Sequence, residues 1–172
     1  MTNEMMRAMI SGGGYVALGL AALGSAYGCG AAVMAACGAW KKIYSQNKPA
    51  PFQLLVFCGL PLSQTIYGVL LFMLIHGKAA NDDFASFWPM FVFLGFFAGI
   101  ALCASAWWQG RGAATACDAF AETGKGFANY LMVLGIIETV SLFALVFAIL
   151  ALPTEAQAAA QAAARAAAAA IN

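Results

Sequence analysis

Apolar residues run along this chain in four long blocks, about 12–40, 52–76, 88–120 and 127–152, separated by the short polar segments KKIYSQNKPAP, GKAANDDFASF and ETGKGF. Each block is long enough to cross a bilayer as a helix. None shows the strict alternation of a barrel strand, and lipid cannot satisfy open backbone groups, so each is predicted to be an α-helix. The expected fold is an all-α membrane protein whose four transmembrane helices form two fused hairpins, residues 1–76 and 77–152, followed by a tail over 153–172.

Composition agrees with the pattern: 63% of the 172 residues are hydrophobic and 9% charged, with a mean hydropathy of +0.83. A soluble core is the wrong frame for such a chain. The net charge of +1 is uninformative, and no nucleic acid is expected among the partners. Charge placement says more. Lys41, Lys42 and Lys48 mark the first loop, whereas the second pairs Lys78 with Asp82 and Asp83. The positive-inside bias puts the first loop in the cytoplasm, Lys125 of the third loop on the same side, and both termini on the other; Arg7 argues weakly against this.

Cys29, Cys37, Cys58, Cys103 and Cys117 lie within apolar segments, without zinc or redox spacing, and read as packing residues. No phosphate loop, metal cluster or nucleophile triad is present, so this chain is expected to be non-catalytic on its own. The amino-terminal run continues far past the length of a signal peptide and follows the acidic Glu4, which predicts a retained first helix. The tail TEAQAAAQAAARAAAAAIN is low in complexity and strongly helix-forming, but too polar at Glu155, Gln157, Gln161 and Arg165 for a fifth span.

An internal repeat links the halves. AYGCGAA from Ala26 sets onto WQGRGAA from Trp108 with four of seven positions identical, and Gly59-Leu60 matches Gly135-Ile136. The chain therefore reads as a duplicated hairpin. Glycines crowd the first block, at Gly12, Gly13, Gly14, Gly19, Gly24, Gly28 and Gly30, and recur in the third at Gly95, Gly99, Gly110 and Gly112. Small side chains allow close helix approach in lipid, so these two helices are expected to pack tightly, with the bulkier second and fourth outside them.

Against this apolar background, Glu138 is the lone ionisable group between Tyr130 and Leu152. A mid-membrane carboxyl is costly, by several kcal/mol, and is a functional hypothesis by default; the bland alternative is a neutral, hydrogen-bonded structural carboxyl. In the second block, LPLSQTIYG sets Ser63, Gln64 and Tyr67 within about one turn, with Leu60 a turn before Gln64. Pro61 lacks an amide hydrogen, so the carbonyl of Phe57 loses its usual donor and the turn around Leu60 is loosened. Gln109 adds a second amide. A carboxylate, two amide oxygens, a hydroxyl and a carbonyl make an all-oxygen set suited to a hard cation, with Tyr67 placed to donate to the carboxylate. Taken singly, a membrane glutamine more often bridges helices and a buried tyrosine more often just satisfies its hydroxyl; the conjunction with Glu138 carries the argument. His76, at the end of its block, reads as interfacial.

Through LPLSQTIYG, WQGRGAA and GIIETVSLFALV, residues 12–152 resemble the proteolipid, or K subunit, of rotary V-type ATPases, in the two-hairpin form similar to bacterial sodium-transporting members. The resemblance implies a homo-oligomeric membrane ring, glycine-rich helices inside and carboxylate-bearing helices outside, turning against a static membrane subunit of the a/I type and coupled through central stalk subunits to ATP hydrolysis or synthesis. It implies that Glu138 carries the ion, with Gln64, Gln109 and Ser63 side-chain oxygens and the Leu60 carbonyl as Na+ ligands and Tyr67 bonded to Glu138. Ser63 stands where sodium-transporting members commonly have Thr, which keeps the oxygen and loses a methyl. The Ala-rich tail departs from the family.

Physically, an ionised Glu138 facing lipid must be neutralised by sodium or a proton, and a fixed cation of the static subunit would favour release. Sodium is the leading expectation, because a proton site needs only the carboxyl and one acceptor; the same rotor carrying H+ is the alternative. A self-contained four-helix transporter or channel is a lower one, and would work without partners in liposomes. The expected location is a bacterial plasma membrane.

Overall fold

The computed structural model describes the backbone of residues 1–171 and the side chains of residues 1–169. Its elements are α1 (Asn3–Ser45), α2 (Leu54–Gly59), a 3-10 turn (Leu60–Leu62), α3 (Ser63–Lys78), a second 3-10 segment (Asp82–Phe87), α4 (Trp88–Thr123), α5 (Phe127–Ala151) and α6 (Glu155–Ile171). Four helices are long and apolar enough to span a membrane, the second of them built from α2, the 3-10 turn and α3. No strand occurs among the described residues.

Helix α1 has 43 residues and α4 has 36, so at 1.5 Å per residue they reach roughly 65 and 54 Å, well past a hydrocarbon core of about 30 Å. The apolar run at 12–40 marks only the middle of α1. The Thr2 hydroxyl caps its start by accepting from the Met5 amide at 3.3 Å, and polar residues extend both ends. Helix α4 opens on Pro89 and closes where Gly124 turns to φ +63°, a left-handed cap that a glycine accepts without strain.

Helices α1 and α4 run parallel through the centre, and their glycines let backbone meet backbone. A Cβ on Gly95 would strike the backbone of Gly13, and one on Gly110 would strike the backbone of Gly28. One on Gly99 would lie 3.1 Å from the Ala17 Cα. Each pair joins residues that the internal repeat superposes at one constant offset, so the two halves meet face to face about equivalent positions. Helices α3 and α5 flank this pair. Gly68 of α3 has no room for a Cβ against Ala21, and Gly112 of α4 has none against the Leu134 side chain of α5.

The long helices are tied at both ends. At one end Arg7 donates from Nε to the Ala79 carbonyl at 2.7 Å and pairs with Asp82 at 3.2 Å. His76 stacks there on Phe72, ring centroids 5.2 Å apart. At the other end Lys42 pairs with Glu122 at 2.7 Å, both exposed, and the Trp40 indole donates to the Pro51 carbonyl at 3.1 Å. The cysteines are free; Cys58 and Cys117 are buried as packing residues, while Cys37 is exposed.

The tail is a separate helix. Leu152 is extended (ψ 136°) ahead of Pro153, which ends α5. Thr154 and Gln157 then form a reciprocal cap, the Thr154 amide donating to Gln157 Oε1 at 2.9 Å and the Gln157 amide to Thr154 Oγ1 at 3.3 Å. Ala158 is fully buried beside the 3-10 segment, and Lys78 reaches Glu155 at 3.5 Å while lying 4.4 Å above the Phe84 ring. From Ala163 to Ala169 the helix is exposed.

Candidate functional site: a carboxylate in an oxygen-rich cleft

The site is built where α3 and α5 lean on α4. Pro61 breaks the second membrane helix into α2 and α3, and the intervening 3-10 turn points the Leu60 carbonyl at Ser63, whose amide and hydroxyl both approach it, the hydroxyl at 2.9 Å. This turn sits close against α1: a Cβ on Gly28 would lie 2.9 Å from the Pro61 Cβ. The glycine of the first repeat motif therefore lets the broken turn approach α1.

Glu138 extends from the middle of α5 into this turn. Tyr67 donates to its Oε1 at 2.6 Å. Its Oε2 receives Ser63 Oγ at 2.8 Å, Gln109 Nε2 at 2.8 Å and Gln64 Nε2 at 3.2 Å. Four donors on one carboxyl, one of them a short O–H···O contact, hold it in one rotamer. All six residues singled out in the sequence, Leu60, Ser63, Gln64, Tyr67, Gln109 and Glu138, thus meet in one cleft. Gln64 and Gln109 are fully buried, whereas Glu138 is partly exposed; on the same two helices Leu62, Ile66, Ile136 and Val140 are exposed apolar side chains. The carboxyl is anchored on one side by these donors and partly open on the other.

Around Ser63 Oγ, three oxygens lie within hydrogen-bond distance: the Leu60 carbonyl at 2.9 Å, Gln64 Oε1 at 3.2 Å and Glu138 Oε2 at 2.8 Å. A hydroxyl carries one proton and can donate to one of them at a time. Such a gathering of oxygens is the donor chemistry of a hard monovalent or divalent cation. The second amide is oriented differently. Gln109 directs Nε2 to Glu138 and to the Leu134 carbonyl, at 2.8 and 3.3 Å, while its Oε1 accepts from Gln64 Nε2 at 2.9 Å. For its oxygen to face a cation the amide must rotate.

Two residues of the site do not stand out in the sequence. Ser105, 5% exposed, donates to the Ile137 carbonyl at 3.0 Å and lies 3.4 Å from Gln64 Nε2. Ser141, fully buried, donates to the Glu138 carbonyl at 2.7 Å. Helical spacing is the available signal: Ser105 lies one turn before Gln109, on the same face of α4.

Residues 92–151 match the model of a protein family, that of the ATP synthase C subunit. No curated protein matches the chain. The family match covers most of α4 and all of α5, and so includes Ser105, Gln109 and Glu138; Leu60, Ser63, Gln64 and Tyr67 lie outside it. Together with the four apolar helices it supports an integral, multi-pass membrane protein. It also supports an ion-translocating rotor proteolipid of the kind that forms homo-oligomeric rings in ATP synthase complexes.

Proposed function

We propose that this protein is a rotor-ring subunit of a V-type ATPase or ATP synthase, and that Glu138 carries sodium across the membrane. The observation that carries the sodium reading is the crowding of oxygens about Ser63 Oγ, where the Leu60 carbonyl, Gln64 Oε1 and Glu138 Oε2 lie within 2.8 to 3.2 Å of one hydroxyl. A cation there would take these oxygens as ligands and cancel the carboxylate charge, and rotation of the Gln109 amide would add a further oxygen. Tyr67 would keep the carboxylate turned inward throughout.

Neutralisation is what allows rotation. The bare carboxylate on the apolar outer face would cost several kcal/mol in lipid, whereas the loaded site is neutral. A static membrane partner of the a/I type would supply a compensating cation where the ion is exchanged. Each elementary charge moved across the membrane exchanges about 2.3 kcal/mol per 100 mV with the field, so several loaded protomers in a ring are needed per ATP. The duplicated hairpin and the first loop's lysines fit the V-type form, with central stalk subunits met on the cytoplasmic side and the chain in a bacterial plasma membrane.

A proton cargo is the second reading, favoured by one observation: Gln109 presents nitrogen, not oxygen, to Glu138 at 2.8 Å. Carbodiimide labelling of membranes, read by mass spectrometry across pH with and without sodium, separates the two. Labelling confined to Glu138, abolished by Glu138→Gln and blocked by sodium at fixed pH, is expected. Labelling that follows pH and ignores sodium would transfer the assignment to protons, and an unreactive Glu138 would refute the ion-carrier role.

A further inference from the structure

We propose that Ser105 is a positioning residue of the ion site, holding the Gln64 amide so that its oxygen faces the cation; this rests on the sodium reading above. Gln64 is fully buried, and its Nε2 has three acceptors within reach: Gln109 Oε1 at 2.9 Å, Glu138 Oε2 at 3.2 Å and Ser105 Oγ at 3.4 Å. A cation in the cleft claims the first two. The Glu138 oxygen becomes a ligand, and the Gln109 amide must rotate to offer its own oxygen. The acceptor left to the Gln64 amide hydrogens is then Ser105.

The geometry makes Ser105 suitable for this task. Its own proton is committed to the Ile137 carbonyl at 3.0 Å, which leaves its lone pairs for Gln64 and ties α4 to the backbone one residue before Glu138. It is 5% exposed and Gln64 is fully buried, so the amide has no ready access to bulk water as a substitute. A single hydroxyl therefore joins the helix of the carboxylate and the amide of α3 through α4. Without it the Gln64 amide hydrogens compete for the oxygens that the cation needs. A buried amide left without an acceptor carries a substantial penalty, and that penalty falls on the loaded state.

The test uses rings in their native membranes, with carbodiimide labelling of Glu138 as a function of sodium. Ser105→Ala is expected to raise the half-protecting sodium concentration about tenfold, with ring content unchanged. Ser105→Thr, which keeps the hydroxyl, is expected to restore protection. A half-protecting concentration in Ser105→Ala equal to that of the unaltered protein would overturn the proposal while leaving the sodium reading standing. Protein that sodium fails to protect even without substitution would end both. If the alanine variant does not assemble, Ser105→Cys, similar in volume but weak as donor and acceptor, carries the same expectation; unchanged sodium dependence there overturns the proposal equally.

Discussion

Replacing Tyr67 by Phe removes one hydroxyl and little else. That hydroxyl lies 2.6 Å from Glu138 Oε1, and the three other donors to the carboxyl all serve Oε2. Oε1 would therefore lose its one donor among the described residues. A hydrogen bond to a charged group contributes about 1.5 to 3 kcal/mol, and one between neutral groups about 0.5 to 1.5. The hydroxyl holds the rotamer that aims Oε2 at the other ligands, and losing about 1 to 1.4 kcal/mol of that orientation is a factor of about five to ten. Tyr67→Phe should raise the sodium concentration that half-protects Glu138 from carbodiimide by that factor. Tyr27→Phe, on exposed α1 surface, is the control and should change nothing. A half-protecting concentration that stays equal or falls in Tyr67→Phe would refute the reasoning, because the bond would then not hold the carboxyl in its ion-binding rotamer.

Two further outcomes follow from the packing. Gly110→Val should force α1 and α4 apart, since even a Cβ at this position meets the Gly28 backbone; loss of assembled ring on native gels is expected, whereas the same change at Gly30, where a Cβ meets nothing within 4 Å, should be tolerated. Truncation after Pro153 should leave sodium protection of Glu138 unchanged, because α6 docks on the Asp82–Phe87 segment and its Lys78–Glu155 pair, 3.5 Å apart with Glu155 exposed, contributes little. A shifted protection curve in the truncated protein would mean that the tail communicates with the site.

Much of this architecture was legible in the chain because lipid is a simple solvent. A segment that must satisfy its own backbone becomes a helix, and a long apolar run reveals it. Glu138 and the Pro61 break stood out for the same reason, since each violates a rule of the bilayer interior. The glycines of AYGCGAA and WQGRGAA announced close packing, and Gly28 against Gly110 is that contact. The limits of α1 were less legible. Hydropathy marks where a helix is buried in lipid, and α1 continues on capping and ordinary helix propensity to Asn3 and Ser45.

What the sequence determined by itself was therefore the inventory: four spans, their glycine seams, one costly carboxyl and a set of oxygen donors. Tertiary structure decided which atoms those donors turn toward the carboxyl. Gln109 shows the difference, for its sequence position fits an oxygen ligand, yet its amide nitrogen approaches Glu138 at 2.8 Å and its oxygen is taken by Gln64. Ser105 shows it as well, an ordinary small residue in an apolar helix until α3 and α5 close on it. Hydropathy and spacing are one-dimensional and place residues on faces. The direction of an amide or a hydroxyl is set by partners on other helices, and those meet only when the helices pack.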